Sequence, residues 1–259
     1  MMKISLTNDR SQTVELTGNE DKYQVVKVAG VDPGQAVINS TAVVGVDGTQ
    51  FNSARLPNRS ITITLKLNGD VAGNRRALYQ KFPNMMPVTI TLENEATATA
   101  TGHVSGISCP LYDRQEIMQL TILCDDPFFY GADWTGSKSW TGELGALTVQ
   151  NNGDFITGAV IEIAYDGQFN ELAVYTAEGS LYLNYSFSSQ EGLVRIDTGE
   201  KTISIVEDGG TPVDGVPFLS LHSIFFTLAP GASSLSVACD DNLSEFSVSV
   251  TVPTKFGGM

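Results

Sequence analysis

Unbroken alternation of apolar and polar residues decides what this chain can fold into. Ile61-Thr-Ile-Thr-Leu-Lys-Leu67 is the clearest case: Ile61, Ile63, Leu65 and Leu67 fall on one side of an extended backbone, and Thr62, Thr64 and Lys66 on the other. Val88-Thr-Ile-Thr-Leu92 and Phe246-Ser-Val-Ser-Val-Thr-Val252 repeat the pattern, and residues 116–124 put Met118, Leu120, Ile122 and Cys124 on one face. A period of two makes antiparallel strands with one face on a core. Residues 96–102 alternate Ala and Thr, which gives a strand one very small face and lets a neighbouring backbone come close. Residues 3–16, anchored by Ile4, Leu6, Val14 and Leu16, and residues 23–31, closed by Asp32-Pro33-Gly34, add further strands.

One stretch has a helical period instead. Val71, Leu78, Tyr79 and Phe82 share a side at helical spacing; Asn68-Gly69-Asp70 supplies N-cap residues and Pro83 ends the run. Arg75 and Arg76 sit near its middle, either on a solvated face or against an acidic partner. Residues 45–59 are polar and glycine-bearing and read as a surface loop with a turn at Asp47-Gly48. Loops of that length tend to be functional or partner-bound.

Residues 120–131, Leu-Thr-Ile-Leu-Cys-Asp-Asp-Pro-Phe-Phe-Tyr-Gly, mark a join. Residues 1–130 hold 11 Lys/Arg and 13 Asp/Glu, whereas residues 131–259 hold 4 and 16, so -12 of the formal charge of -14 lies beyond it. The 259 residues suit two domains, placed here at 1–131 and 132–259. The second half has many short strand candidates, among them residues 160–165, 181–187, 203–206 and 225–228. Turn signals such as Asn152-Gly153, Asp166-Gly167 and Pro230-Gly231 separate them, with no helical stretch, which indicates a β-sandwich of jelly-roll type. Trp134 and Trp140 follow the join at once and are read as packing domain against domain, with stacking on a sugar as the other use.

The composition excludes several functions. So acidic a surface disfavours nucleic-acid binding. No apolar run is long enough for a membrane span, and the opening residues do not form a secretory leader, so synthesis and folding in a cytoplasm are expected. Three cysteines, Cys109, Cys124 and Cys239, are an odd count and read as buried thiols. His103 and His222 stand far apart among apolar neighbours and read as core or edge residues. No nucleophile elbow, phosphate loop or Cys-x-x-Cys occurs. Asp125-Asp126 and Asp240-Asp241 point to opposite faces if extended, which disfavours a metal site. No catalytic residue, metal or cofactor is expected, and the chain is not read as an enzyme.

Several pieces in order carry a family resemblance: Val46-Asp47-Gly48-Thr49, Ser53-Ala54-Arg55, Asn58-Arg59-Ser60-Ile61, Arg75-Arg76-Ala77-Leu78-Tyr79 and Cys124-Asp125-Asp126-Pro127-Phe128-Phe129. Ile196-Asp197-Thr198 with Lys201 and Ile203, and Phe226-Thr-Leu-Ala-Pro-Gly231, extend them into the second half. The chain resembles the distal tail proteins of siphophages, the siphovirus tail component family. The resemblance implies a mainly β protein, with an N-terminal β-sandwich bearing one short helix and a C-terminal galectin-like β-sandwich. It implies a homohexameric ring at the virion tail tip, joining the tail tube to the tail-tip hub or baseplate around the DNA channel, after synthesis in the host cytoplasm. Its expected partners are further copies of itself, the tail tube protein, a tail-tip hub or tail-associated lysin-like protein, and the tape measure and receptor-binding proteins. Asp47, Gly48, Phe51, Arg55, Arg59, Arg75 and Arg76 are the candidate subunit or partner contacts. Asp126, Pro127, Phe128, Phe129, Tyr130 and Trp134 are the candidate domain junction, with the aromatic residues packed between domains and the aspartates turning the chain. A carbohydrate-binding adhesion module is the alternative reading.

Overall fold

The alternating stretches pair as antiparallel strands, each burying the face its sequence marks. The computed structural model describes residues 2–45, 47–110, 116–141, 144–240 and 245–259. The chain divides into two compact units, Met1–Gly131 with Phe256–Met259, and Ala132–Lys255.

The first unit contains β1 (Lys3–Asn8), β2 (Thr13–Glu15), β3 (Tyr23–Ala29), β4 (Val37–Ala42), β5 (Thr49–Arg55), β6 (Arg59–Leu67), α1 (Val71–Lys81), β7 (Pro87–Glu93), β8 (Thr97–Ser108), β9 (Ile117–Cys124) and β10 (Phe129–Tyr130). Its main sheet runs β2-β1-β7-β8-β9-β6-β3. In β6 and β9, Ile61 faces Ile122 and Ile63 faces Leu120. These side chains join Leu65, Leu67, Ile4, Leu6, Val88, Ile90 and Leu92 in one core. Burying each contributes about 1.5–3 kcal/mol. One helix of 11 residues is too small to cover so wide a face. The sheet is bulged between Val25 and Lys27 and between Val104 and Gly106, and bulges bend strands. On β8 the small face is used as expected: Ala98 and Ala100 are buried, and Gly102 lies too close to the Leu123 carbonyl to carry a Cβ.

Helix α1 starts where the Asp70 carboxylate accepts a hydrogen bond from the Gly73 amide at 3.0 Å. It ends at Phe82, before Pro83. Leu78 and Phe82 are buried, but Tyr79 is exposed, so the buried stripe is narrower than the sequence suggests. Asn8, itself buried, donates from Nδ2 to the Lys81 carbonyl at 2.9 Å and fastens the helix end to β1.

The second unit is a two-sheet sandwich. One sheet joins β11 (Trp134–Thr141), β13 (Val160–Asp166), β16 (Glu191–Asp197), β17 (Thr202–Glu207), β18 (Val213–Asp214) and β20 (Glu245–Val252). The other joins β12 (Leu144–Asn151), β14 (Phe169–Thr176), β15 (Gly179–Phe187) and β19 (Gly231–Cys239). Ile161, Ile163, Val194, Ile196, Val248 and Val250 of the first sheet meet Leu172, Val174, Leu181, Leu183, Leu235 and Val237 of the second. Residues 225–228 do not form the expected strand. Leu228 makes a single bridge to Thr157, while Phe226 and Leu228 still fill the core. Their apolar character reports burial without ladder pairing. Conversely, β11, whose apolar residues are Trp134 and Trp140 with polar residues and Gly between them, pairs with β20 along its whole length, from Trp134↔Val252 to Thr141↔Glu245. After β20 the chain returns: the short strand β21 (Lys255–Phe256) pairs with β10, and Phe256–Met259 complete the first unit.

Candidate assembly interface

Residues 45–59, expected as a loop, instead contribute one strand of a hairpin arm. β4 and β5 form a separate two-stranded sheet, and every residue of both strands is exposed. The register runs from Val37↔Arg55 to Ala42↔Thr49 with a bulge between Asn39 and Ser40. Asn39 Nδ2 bonds Ser53 Oγ at 3.1 Å, and Asn52 Nδ2 bonds Thr41 Oγ1 at 2.6 Å, which stiffens the arm from its own side chains. Ile38 and Phe51 are each 63% exposed and Val44 is 100% exposed. An isolated hairpin is marginal in water, and its open edges and apolar side chains invite pairing with another chain. Four expected contact residues lie on it: Asp47 and Gly48 at the tip, Phe51 and Arg55 on β5. Val46, part of the same motif, lies outside the described residues. The sequence missed β4 because a strand with no core side has no alternation to display.

On α1, Arg75 is half-buried and Arg76 exposed. Among the described residues the ion pairs are Lys3–Glu93 and Arg195–Glu162, so neither arginine is in one. Lys81 in the last turn and the absence of acidic residues from the first turn make the helix a basic feature.

Arg59 is a correction. Expected at an interface, it is only 6% exposed. Its Nε donates to the Pro127 carbonyl at 2.6 Å, Nη1 to Gly30 at 2.7 Å and Asp32 at 2.8 Å, and Nη2 to Gly257 at 2.5 Å. The guanidinium also stacks over Phe129, 4.6 Å from the ring centre. Burial lowers its pKa, while Cys124 and Asp32 act the other way. Four of its donors are thus taken by carbonyls of its own unit.

At the junction, Asp126 turns the chain. One carboxylate oxygen accepts from the Phe128 amide at 3.0 Å and the other from the Tyr130 hydroxyl at 2.6 Å. Phe129 is fully buried in the first unit's own core, and Phe128 and Tyr130 are half-buried, as is Pro127. Trp134 and Trp140 pack against the core of the second unit, with Trp140 stacked on Phe246 at 6.2 Å. Both rings are thus engaged by their own sandwich, and Gly136 and Gly145 lie against their faces. His103 and His222 are both exposed, which corrects the core reading.

The second unit bears an acidic cleft of about 510 Å³ at one end of its six-stranded sheet. Asp166 lies directly opposite Glu191 on one side and Glu245 on the other, and Asp208 lines the same cleft. Behind it Glu207 accepts hydrogen bonds from the Ser188 and Ser189 amides and from the Tyr185 hydroxyl at 3.0 Å, a knot that holds the turn after β15. Asp240 accepts from the Asn170 and Glu171 amides at 2.8 and 3.2 Å. Burial raises its pKa, but these bonds outweigh it and hold the carboxyl below its usual range. Its neighbour Asp241 lies outside the described residues. Among the described residues no group of three or more His, Cys, Asp or Glu is arranged to hold a metal, and no helix is long and apolar enough to cross a membrane.

Residues 152–252 match the family model of the siphovirus-type tail component, C-terminal domain. The whole fold is similar to the crystal structure of the Dit protein (gp 19.1) of SPP1, described as a paradigm of the hub adsorption apparatus in phages infecting Gram-positive bacteria. The TM-score is 0.69 at 20% identity, over 98% of this chain and 99% of that one. A chain of the phage P2 baseplate in its activated conformation with Ca is similar at a TM-score of 0.44 and 10% identity, over 100% of both chains. No curated protein matches the chain.

Proposed function

We propose, from the premise that residues 152–252 carry the siphovirus-type tail component domain, that this chain is a structural protein of a phage or prophage tail tip. It assembles as a homohexameric ring that joins the tail tube to the tail-tip hub or baseplate and leaves a channel for DNA. The observation that carries the assembly reading is the β4–β5 arm: two strands exposed at every residue, with open edges and with Ile38, Val44 and Phe51 in solvent. A head-to-tail contact of such an arm with the next copy is heterologous, and heterologous contacts close into rings when the rotation allows. Asp47, Gly48, Phe51 and Arg55 on the arm, with Arg75 and Arg76 on α1, are the proposed subunit or partner contacts.

The charge distribution supports a scaffold that repels other macromolecules except where it docks. The second unit carries 16 Asp/Glu against 4 Lys/Arg. That surplus keeps it soluble and away from passing DNA. Tube, hub, tape measure and receptor-binding proteins are the proposed partners, with no specific nucleic-acid binding, no catalysis and no membrane insertion. Negative-stain images of purified protein test the reading: six-fold rings are expected, and particles of single-chain size at every concentration overturn it.

A further inference from the structure

We infer that Arg59 is a latch that makes two distant chain segments, Pro127-Phe128-Phe129 and Phe256–Met259, dock on the first unit as one event. The inference does not depend on the ring. Pro127 and Gly257 lie 68 and 198 residues from Arg59, yet both carbonyls accept from its guanidinium. They flank the two places where the chain passes between its units, after Gly131 and after Lys255. One side chain therefore holds both segments within the first unit.

The chemistry makes the two contacts interdependent. A guanidinium offers five donors in a rigid plane and keeps its charge in proteins. Here four donors meet the carbonyls of Gly30, Asp32, Pro127 and Gly257, and among the described residues no carboxylate is bonded to the fork. The buried charge is satisfied only while these carbonyls stay in place, and a buried charged donor without its acceptor costs more than a neutral one. Lifting either segment therefore weakens the hold on the other.

The returning segment is fitted to its place independently of Arg59. Phe256 and Met259 pack against the first core, and the Met259 amide donates to the Val31 carbonyl at 2.9 Å. A Cβ on Gly258 would stand 2.6 Å from the backbone nitrogen of Pro33, so only glycine fits. Gly30, at φ +85°, lies against the Ser60 carbonyl where a Cβ cannot fit, and this brings its own carbonyl to Arg59.

Hydrogen exchange on the full chain tests the latch. Gly258→Val disturbs the returning segment at Pro33 and, because β21 pairs with β10, also reaches Phe129 and Tyr130 through that ladder, so the variant is compared with and without Arg59. The latch requires faster exchange in residues 256–259 and also at the amides of Phe128, Phe129 and Tyr130, on the order of tenfold, with the rest of the unit unchanged. Arg59→Lys keeps a charge but loses the fork, and the latch requires the same two segments to be released together. Release of 256–259 alone in Gly258→Val, or unchanged exchange in both segments, overturns the inference. Gly258→Val made in the Arg59→Lys background separates the latch from the ladder: the latch requires little further speeding at residues 128–130, and an undiminished effect there assigns the coupling to the β10–β21 pairing and overturns the inference.

Discussion

The Asp126 carboxylate accepts a 2.6 Å hydrogen bond from the hydroxyl of Tyr130, four residues further along the chain. With its bond from the Phe128 amide, it folds the exit from β9 into a turn that lets Phe129 enter the core and sets Pro127 against Arg59. Asp126→Ala removes both acceptors and should cost about 1–2 kcal/mol, and Tyr130→Phe about 1 kcal/mol. Urea unfolding of each variant measures this. If Asp126→Ala is neutral, the carboxylate does not hold the turn.

Alkali should unfold the protein earlier than its strand content suggests. Burial pushes the Cys124 thiol up from 9.0 to about 11, against a smaller opposing effect of Arg59. Burial first, and then the bond to Asp126, raise Tyr130; burial and Glu207 raise Tyr165; burial raises Tyr23. A group whose folded pKa is raised contributes fully below its unfolded pKa, and that contribution is lost as pH rises through the folded value. Stability should hold to about pH 9 and fall steadily above it, as the unfolded chain releases protons that the folded chain keeps. Thermal melts from pH 8 to 11 read the slope, and a flat profile contradicts it.

The same burial predicts selective chemistry at the cysteines. The thiolate is the reactive form, and Cys124 is both buried and held as a thiol. Half-buried Cys109 should be alkylated in the native protein at pH 8, with Cys124 modified only on unfolding. Labelling followed by peptide mass analysis shows this directly, and native modification of Cys124 would place the β9 face outside the core.

Asp166, set between Glu191 and Glu245 across adjacent strands, repels both. Like charges directly opposite on a sheet are destabilising, by ~0.2–1 kcal/mol per pair. Asp166→Asn should therefore stabilise the protein, more at low salt than at high salt. Melting temperatures at two ionic strengths check it, and a loss of stability would mean that the Gln190 bond to Asp166 at 2.8 Å outweighs the repulsion.

How much was legible depended on whether a segment has a core side. Ile61, Ile63, Leu65 and Leu67, like Met118, Leu120, Ile122 and Cys124, are all buried as their alternation predicts, because one-sided burial writes itself into the sequence. The α1 cap and stop were equally readable from Asp70 and Pro83. β4 was not, since both its faces are wet, and β11 hid because Gly, Ser, Thr and Lys fill the positions between Trp134 and Trp140. The role of Arg59 could not be read, because its acceptors are backbone carbonyls and any residue type supplies a carbonyl. Asp47, Gly48, Phe51 and Arg55 were singled out as contact candidates on an expected loop, and the hairpin that carries them was not read.

The arm is the most direct place to test the account. Ile38→Ser and Phe51→Ser remove exposed apolar surface from β4 and β5 and should leave the melting temperature of the isolated chain nearly unchanged, since exposed substitutions stay within about 0.5 kcal/mol. Sedimentation velocity of the protein and the double variant is the decisive measurement. The account predicts a species of six chains for the protein and a shift to single chains for the variant. A monomer in both, or a six-chain species that survives loss of Ile38 and Phe51, contradicts it.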